Sequence, residues 1–126
     1  MVIFASVFIA LAALLHVYIF LMESAWWTRP KVWQRFGLAS QADAETTKPL
    51  AYNQGFYNLF LAVGAIVGLF LYFGGPADAG AALILFSTAS MFLAATVLTT
   101  TGPGRVKSAL TQGTLPLIGF ILFLFA

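Results

Sequence analysis

Four apolar runs dominate the chain, at residues 2–22, 49–73, 79–100 and 108–126. Each approaches the roughly 20 residues that an α-helix needs to cross the hydrocarbon of a bilayer. A backbone in hydrocarbon has no water to bond to, and a helix satisfies its own N–H and C=O groups within one segment. Composition agrees: 61% of residues are hydrophobic and 8% charged, against about 25% charged in a soluble domain. Such a chain has too few charges to solvate its surface, so its main partner is the lipid bilayer. The predicted fold is all-α: a polytopic membrane protein, with residues 1–126 forming a single four-transmembrane-helix domain. Residues 2–22 lack the basic start and short apolar core of a signal peptide, so they are expected to stay as the first helix.

The joints between the runs carry the topology. Gly74-Gly75-Pro76 and Gly102-Pro103-Gly104 are breakers. The first joint, residues 23–48, is longer and amphipathic. Within it, Val32, Trp33, Phe36 and Leu38 alternate with Lys31, Gln34 and Arg35, which predicts a short helix over 30–38 lying in the membrane interface and ended by Gly37. Ser40 and Asp43 have the spacing of a capping box, so the second helix is expected to start near Gln41. Pro49 is then expected to kink or break it. Arg29, Lys31, Arg35 and Lys48 lie in the first joint, Arg105 and Lys107 in the third, and only Asp78 in the second. The positive-inside rule places the first and third joints in the cytoplasm and both termini outside. Trp26, Trp27 and Trp33 fall where an aromatic belt meets the headgroups.

Several function classes are excluded or disfavoured. Six basic residues, already engaged in topology, make no patch for nucleic acid. The absence of Cys removes disulfides and thiolate metal sites. One His, one embedded Glu and scattered amides are too few ligands for a metal within one chain, so no metal is expected. The sequence does not define a cofactor; for haem, His16 is the only histidine available.

Polar side chains inside a spanning helix need a partner or a purpose. His16 and Glu23 are seven residues apart on one face of the first helix, about 10 Å apart along its axis, too far to touch. The same face carries Ala5, Ile9, Ala12 and Ala13, and small residues let helices approach, so His16 is expected to face protein. The second helix carries Asn53-Gln54-Gly55-Phe56-Tyr57-Asn58, with Asn53, Tyr57, Gly64 and Gly68 on one stripe and Gly64/Gly68 in a GxxxG pattern. Gln112 enters on the fourth helix from the same side. At about 1.5 Å per residue, His16 lies about 10 Å and Tyr57 and Asn58 about 12–13 Å from the basic side. The expectation is one polar cluster in the cytoplasmic half. His16, Glu23 and Tyr57 are its candidate catalytic groups, and Asn53, Gln54, Asn58 and Gln112 its candidate ligand-binding groups. The plainer reading makes the amides structural bonds between helices and Glu23 a boundary carboxylate paired with Arg or Lys.

His16-x6-Glu23, the Trp-rich basic joint, Asn53-Gln54-Gly55-x-Tyr57-Asn58 and Gln112-Gly113 together resemble the small bacterial integral membrane proteins grouped as domain of unknown function 1304. The resemblance covers essentially the whole chain and is most specific at 53–58. It implies a four-helix protein of the bacterial inner membrane and supplies no function. Small four-helix membrane enzymes acting on lipophilic electrophiles as trimers are similar in architecture only, and the second helix here has no His.

The function expected from these residues is binding or processing of a small lipophilic compound at the polar cluster. His16 would handle protons near neutral pH, and Tyr57 or Asn58 would donate to a substrate oxygen. Two other readings stand beside it: a small transporter or channel-like assembly, and a structural or accessory subunit without chemistry. A homo-oligomer is expected.

Overall fold

A computed structural model describes all residues, Met1–Ala126. It is all-helical: α1 (Val2–Phe20) continues into a π-turn (Leu21–Ala25), then come α2 (Pro30–Arg35), α3 (Gln41–Gly74), α4 (Ala77–Leu98) and α5 (Val106–Leu124). Four helices are long and apolar enough to cross a membrane: Val2–Ala25, Gln41–Gly74, Ala77–Leu98 and Val106–Leu124. The chain is a multi-pass membrane protein. Its helices form a closed ring in which α1 packs on α3 and α5, and α4 packs on the same two from the other side. The chain ends and the α3–α4 joint lie at one end of the bundle. The other two joints, with their basic residues, lie at the opposite end.

The inner faces are built from small side chains, because lipid tails supply no hydrophobic drive between helices and close packing must replace it. Ala5, Ile9, Ala12, Ala13, Ala62, Ala65, Ile84 and Met91 form the central core. Glycines mark the closest approaches. A Cβ added at Gly80 would fall on the backbone N of Tyr72 and come within 2.7 Å of Gly68 O. One at Gly68 would meet Ile84 Cγ1 at 2.9 Å, and one at Gly64 would meet Ser87 Oγ at 2.6 Å. The GxxxG stripe is thus where α3 meets α4. On the far side of α1, a Cβ at Gly119 would meet Ile9 Cγ1 at 3.0 Å.

The basic end has a small core of its own. Trp27 and Trp33 pack with Ala44 and Ala51, flanked by Phe36 and Leu38. Trp27 Nε1 donates to Ala44 O and Thr47 Oγ1, both at 3.1 Å, and Trp33 Nε1 to Gln41 Oε1 at 2.8 Å. Two of the three tryptophans expected in a headgroup belt are therefore buried against α3. Trp26 is only half-buried, with the Arg29 guanidinium 5.2 Å from its ring centroid. α2 ends as predicted, with Gly37 at φ +81°, a conformation that costs glycine little. Ser40 caps α3, its Oγ accepting from Asp43 N at 3.1 Å, and α3 starts at Gln41. Pro49 does not break α3, which runs on through it.

The glycine contacts yield a stability test. Gly80→Ala should lower the stability of the bundle by about 2 kcal/mol, because its methyl meets backbone that cannot rotate away. Gly74→Ala, with nothing within 4 Å, should stay within about 1 kcal/mol of the parent. Reversible denaturation in mixed micelles reads both.

Candidate functional site

Two of the predicted site residues meet across α1 and α3. Asn58 Nδ2 donates to Glu23 Oε1 at 2.6 Å and to Gln54 O at 3.2 Å. Glu23 is only 4% exposed. Its partner is an amide on the neighbouring helix, where sequence reasoning allowed an Arg or Lys. The local winding explains the reach. In the π-turn, Trp26 N bonds to Leu21 O, one residue further back than in an α-helix. This widened turn brings two consecutive residues to α3: Glu23, and Ser24, whose Oγ donates to Tyr52 O at 2.8 Å. Gly55 lies between them. A Cβ there would collide with Ser24 Oγ and come within 3.1 Å of both Glu23 Cβ and Phe20 O.

His16 is 2% exposed, on the face shared with Ala5, Ile9, Ala12 and Ala13. Its Nδ1 lies 2.8 Å from Ala12 O. A carbonyl only accepts, so Nδ1 carries a proton, and in the neutral ring Nε2 presents the lone pair. Ile9 of α1 faces Gly119 of the antiparallel α5. Seven residues further along α1 and seven back along α5, His16 stands at the level of Gln112.

The remaining candidates do not converge on this pair. Tyr57 is 69% exposed, and Asn53 and Gln54 are exposed on the same outer stretch of α3. The stripe from Asn53 to Gly68 touches α4 at Gly64 and Gly68 and leaves it toward the basic end. Helices that cross at an angle touch over a few turns only. The single polar cluster expected from the sequence is thus two features: the Glu23–Asn58 contact between α1 and α3, and a groove on the other side of α1.

That groove, of about 620 Å³, lies between α1, α2 and α5. Leu15, Ile19 and Met22 make its apolar wall. Lys31, Gln34 and Arg35 approach from α2, and Lys107, Ser108 and Gln112 from α5. Two bonds hold its frame. Arg35 Nη1 donates to Tyr18 OH at 3.2 Å, joining α2 to α1. Arg105 Nη1 donates to Phe36 O at 2.7 Å, joining the start of α5 to the end of α2. Among the predicted ligand-binding residues, Gln112 lines the groove. Lys31, Arg35 and Lys107 were read from the sequence as topology markers only. Their assignment to joints on the same side of the membrane was the available sign that they meet.

The sequence profile of the family described as protein of unknown function (DUF1304) matches residues 10–124. The chain belongs to the DUF1304 family. No curated protein and no solved structure matches this DUF1304 chain. The matched span includes His16, Glu23, the 53–58 segment and every residue lining the groove.

In a double-mutant cycle of Glu23→Ala and Asn58→Ala, the coupling energy should be about 1 kcal/mol, the range of a hydrogen bond between membrane helices. Glu23→Gln keeps an acceptor at the same place and should retain most of the parent's stability. Tyr57→Phe should change stability by less than about 0.5 kcal/mol. Thermal unfolding of the purified variants distinguishes these outcomes.

Proposed function

We propose that this protein binds a small lipophilic compound in the groove between α1, α2 and α5, at the end of the bundle that faces the cytoplasm. One observation carries the reading: a single space of about 620 Å³ has an apolar wall on one helix and polar groups on two others. Its size is that of ordinary small-molecule sites, roughly 300–1,000 Å³, which are mostly apolar with a few placed polar groups. Gln112 is the ligand-orienting amide. His16, the candidate proton-handling group, is buried at the same level on α1 and is not among the residues that line the groove, and Glu23 with Asn58 braces α1 from its opposite side. The cytoplasmic orientation rests on the six basic residues gathered at this end. A homo-oligomer would use the exposed Asn53, Gln54 and Tyr57 of α3 as contacts between copies. Transport has less support, because Ser6 and Thr88 in the other half commit their hydroxyls to carbonyls of their own helices.

Thr111→Trp tests the reading, since this exposed residue lines the groove and an indole there would fill it. Protein extracted with its native lipid should carry a bound lipophilic species detectable by mass spectrometry. Thr111→Trp should lose that species while unfolding at the parent's temperature. Equal occupancy in both proteins would overturn the proposal. Orientation is checked separately. The chain has no Cys, so single cysteines at Gly102 and Gly75 should be labelled from the cytoplasmic and outer faces respectively.

A further inference from the structure

The groove's polar wall carries one sign of charge. Lys31, Arg35 and Lys107 line it, and no carboxylate does. Of the four acidic residues, Glu23 is buried against Asn58, Asp43 and Glu45 lie in the first turns of α3, and Asp78 lies at the other end of the bundle. Arg35 uses one of its five N–H donors on the neutral Tyr18 hydroxyl. Lys31, Lys107, Gln34, Ser108 and Gln112 donate to nothing within the chain. Three cations are therefore held around one space without a counter-charge, beside hydrocarbon that screens them poorly. All three are exposed, and an anion placed among them would relieve their mutual repulsion.

The apolar wall says what the anion is attached to. Leu15, Ile19 and Met22 continue sideways onto Leu11, Leu14 and Tyr18, the exposed outer stripe of α1. The groove thus opens laterally, toward lipid, as well as toward the basic end. A molecule filling both parts has an acyl chain along α1 and an anionic head at α2 and α5. Basic pockets between membrane helices at headgroup level are suited to phosphate-bearing lipid heads.

We propose that the α1/α2/α5 groove is a binding site for an anionic phospholipid of the surrounding leaflet, with Lys31, Arg35 and Lys107 around its phosphate and an acyl chain along Leu15, Ile19 and Met22. This rests on the groove being a ligand site, and it names the ligand class. Gln34, Ser108 and Gln112 supply neutral donors for the glycerol or head-alcohol oxygens. Arg35 is the positioning cation, because its bond to Tyr18 fixes the guanidinium at the groove mouth. Lys31 and Lys107 close on the phosphate from opposite sides.

The test uses the full chain reconstituted in bilayers of equal parts phosphatidylcholine and phosphatidylglycerol, then released for native mass spectrometry. Retained phosphatidylglycerol should exceed phosphatidylcholine at least tenfold. Lys31→Gln and Lys107→Gln should each reduce that preference roughly fivefold, the effect of one cation near an anionic surface. Lys48→Gln, outside the groove, should not change it. If Arg35→Gln fails to fold for want of the Tyr18 bond, the two lysine variants still decide. Equal retention of both lipids, or an equal loss in Lys48→Gln, would overturn the proposal. So would displacement of the lipid by millimolar glycerol phosphate, which would mark a site for a soluble phosphate. If the parent and the lysine variants hold a neutral lipophile equally, the headgroup assignment fails while the binding reading stands. If neither lipid nor lipophile is retained, both fail.

Discussion

Backbone-to-backbone approach between α3 and α4, at Gly68 and Gly80, is the constraint on which the arrangement of the bundle depends. Apolar side chains gain nothing by leaving lipid for one another, so the helices adhere where their main chains come close enough for dense packing. Fixing α3 against α4 at one end leaves the other end of α3 free to receive α1. There the smallness of Gly55 admits Glu23 and Ser24. Ala5, Ile9, Ala12 and Ala13 close α1 onto the remaining faces, and His16 is buried as a member of that same stripe.

This packing also decides where polar chemistry is found. The α1–α3 contact is tight, and its polar groups satisfy one another through the Glu23–Asn58 and Ser24–Tyr52 bonds. On the α1–α5 side, Gly119 receives Ile9 closely. Toward the basic end, α2 lies across the opening between α1 and α5 and encloses the groove. A second space of about 530 Å³, between α1 and α3 near the other end, is lined almost wholly by apolar residues, whereas the lining of the α1/α2/α5 groove is where positive charge gathers.

Much of the architecture is legible in the residues. Run lengths gave four spans, breakers gave the joints, Gly37 ended the short helix α2, and Ser40 marked the start of α3. His16 was correctly turned inward, because its alanine neighbours carry a helical period that is hard to mistake. The 53–58 segment was read less well. Its polar residues fall in two neighbouring stripes, Asn53 with Tyr57 and Gln54 with Asn58, so spacing alone did not say which of them faces α1. Asn58 does; Asn53, Gln54 and Tyr57 do not. The answer depends on where α3 crosses its neighbours, which is a property of the assembled bundle. The π-turn was equally hidden, since no residue type marks it, yet it is what carries Glu23 to Asn58. Nor did the sequence show that Trp27 and Trp33 are buried against α3, where their N–H groups find acceptors at Ala44, Thr47 and Gln41.

The Arg105–Phe36 bond joins parts of the chain far apart in sequence. α2 is the one helix that lies outside the ring, and the Phe36 carbonyl at its end is held by the residue that opens α5. α2 is tied in this way to α5 as well as to α1 and α3. The opening between α1 and α5 is thus spanned by α2 with a guanidinium at each of two ties, Arg35 to α1 and Arg105 from the start of α5.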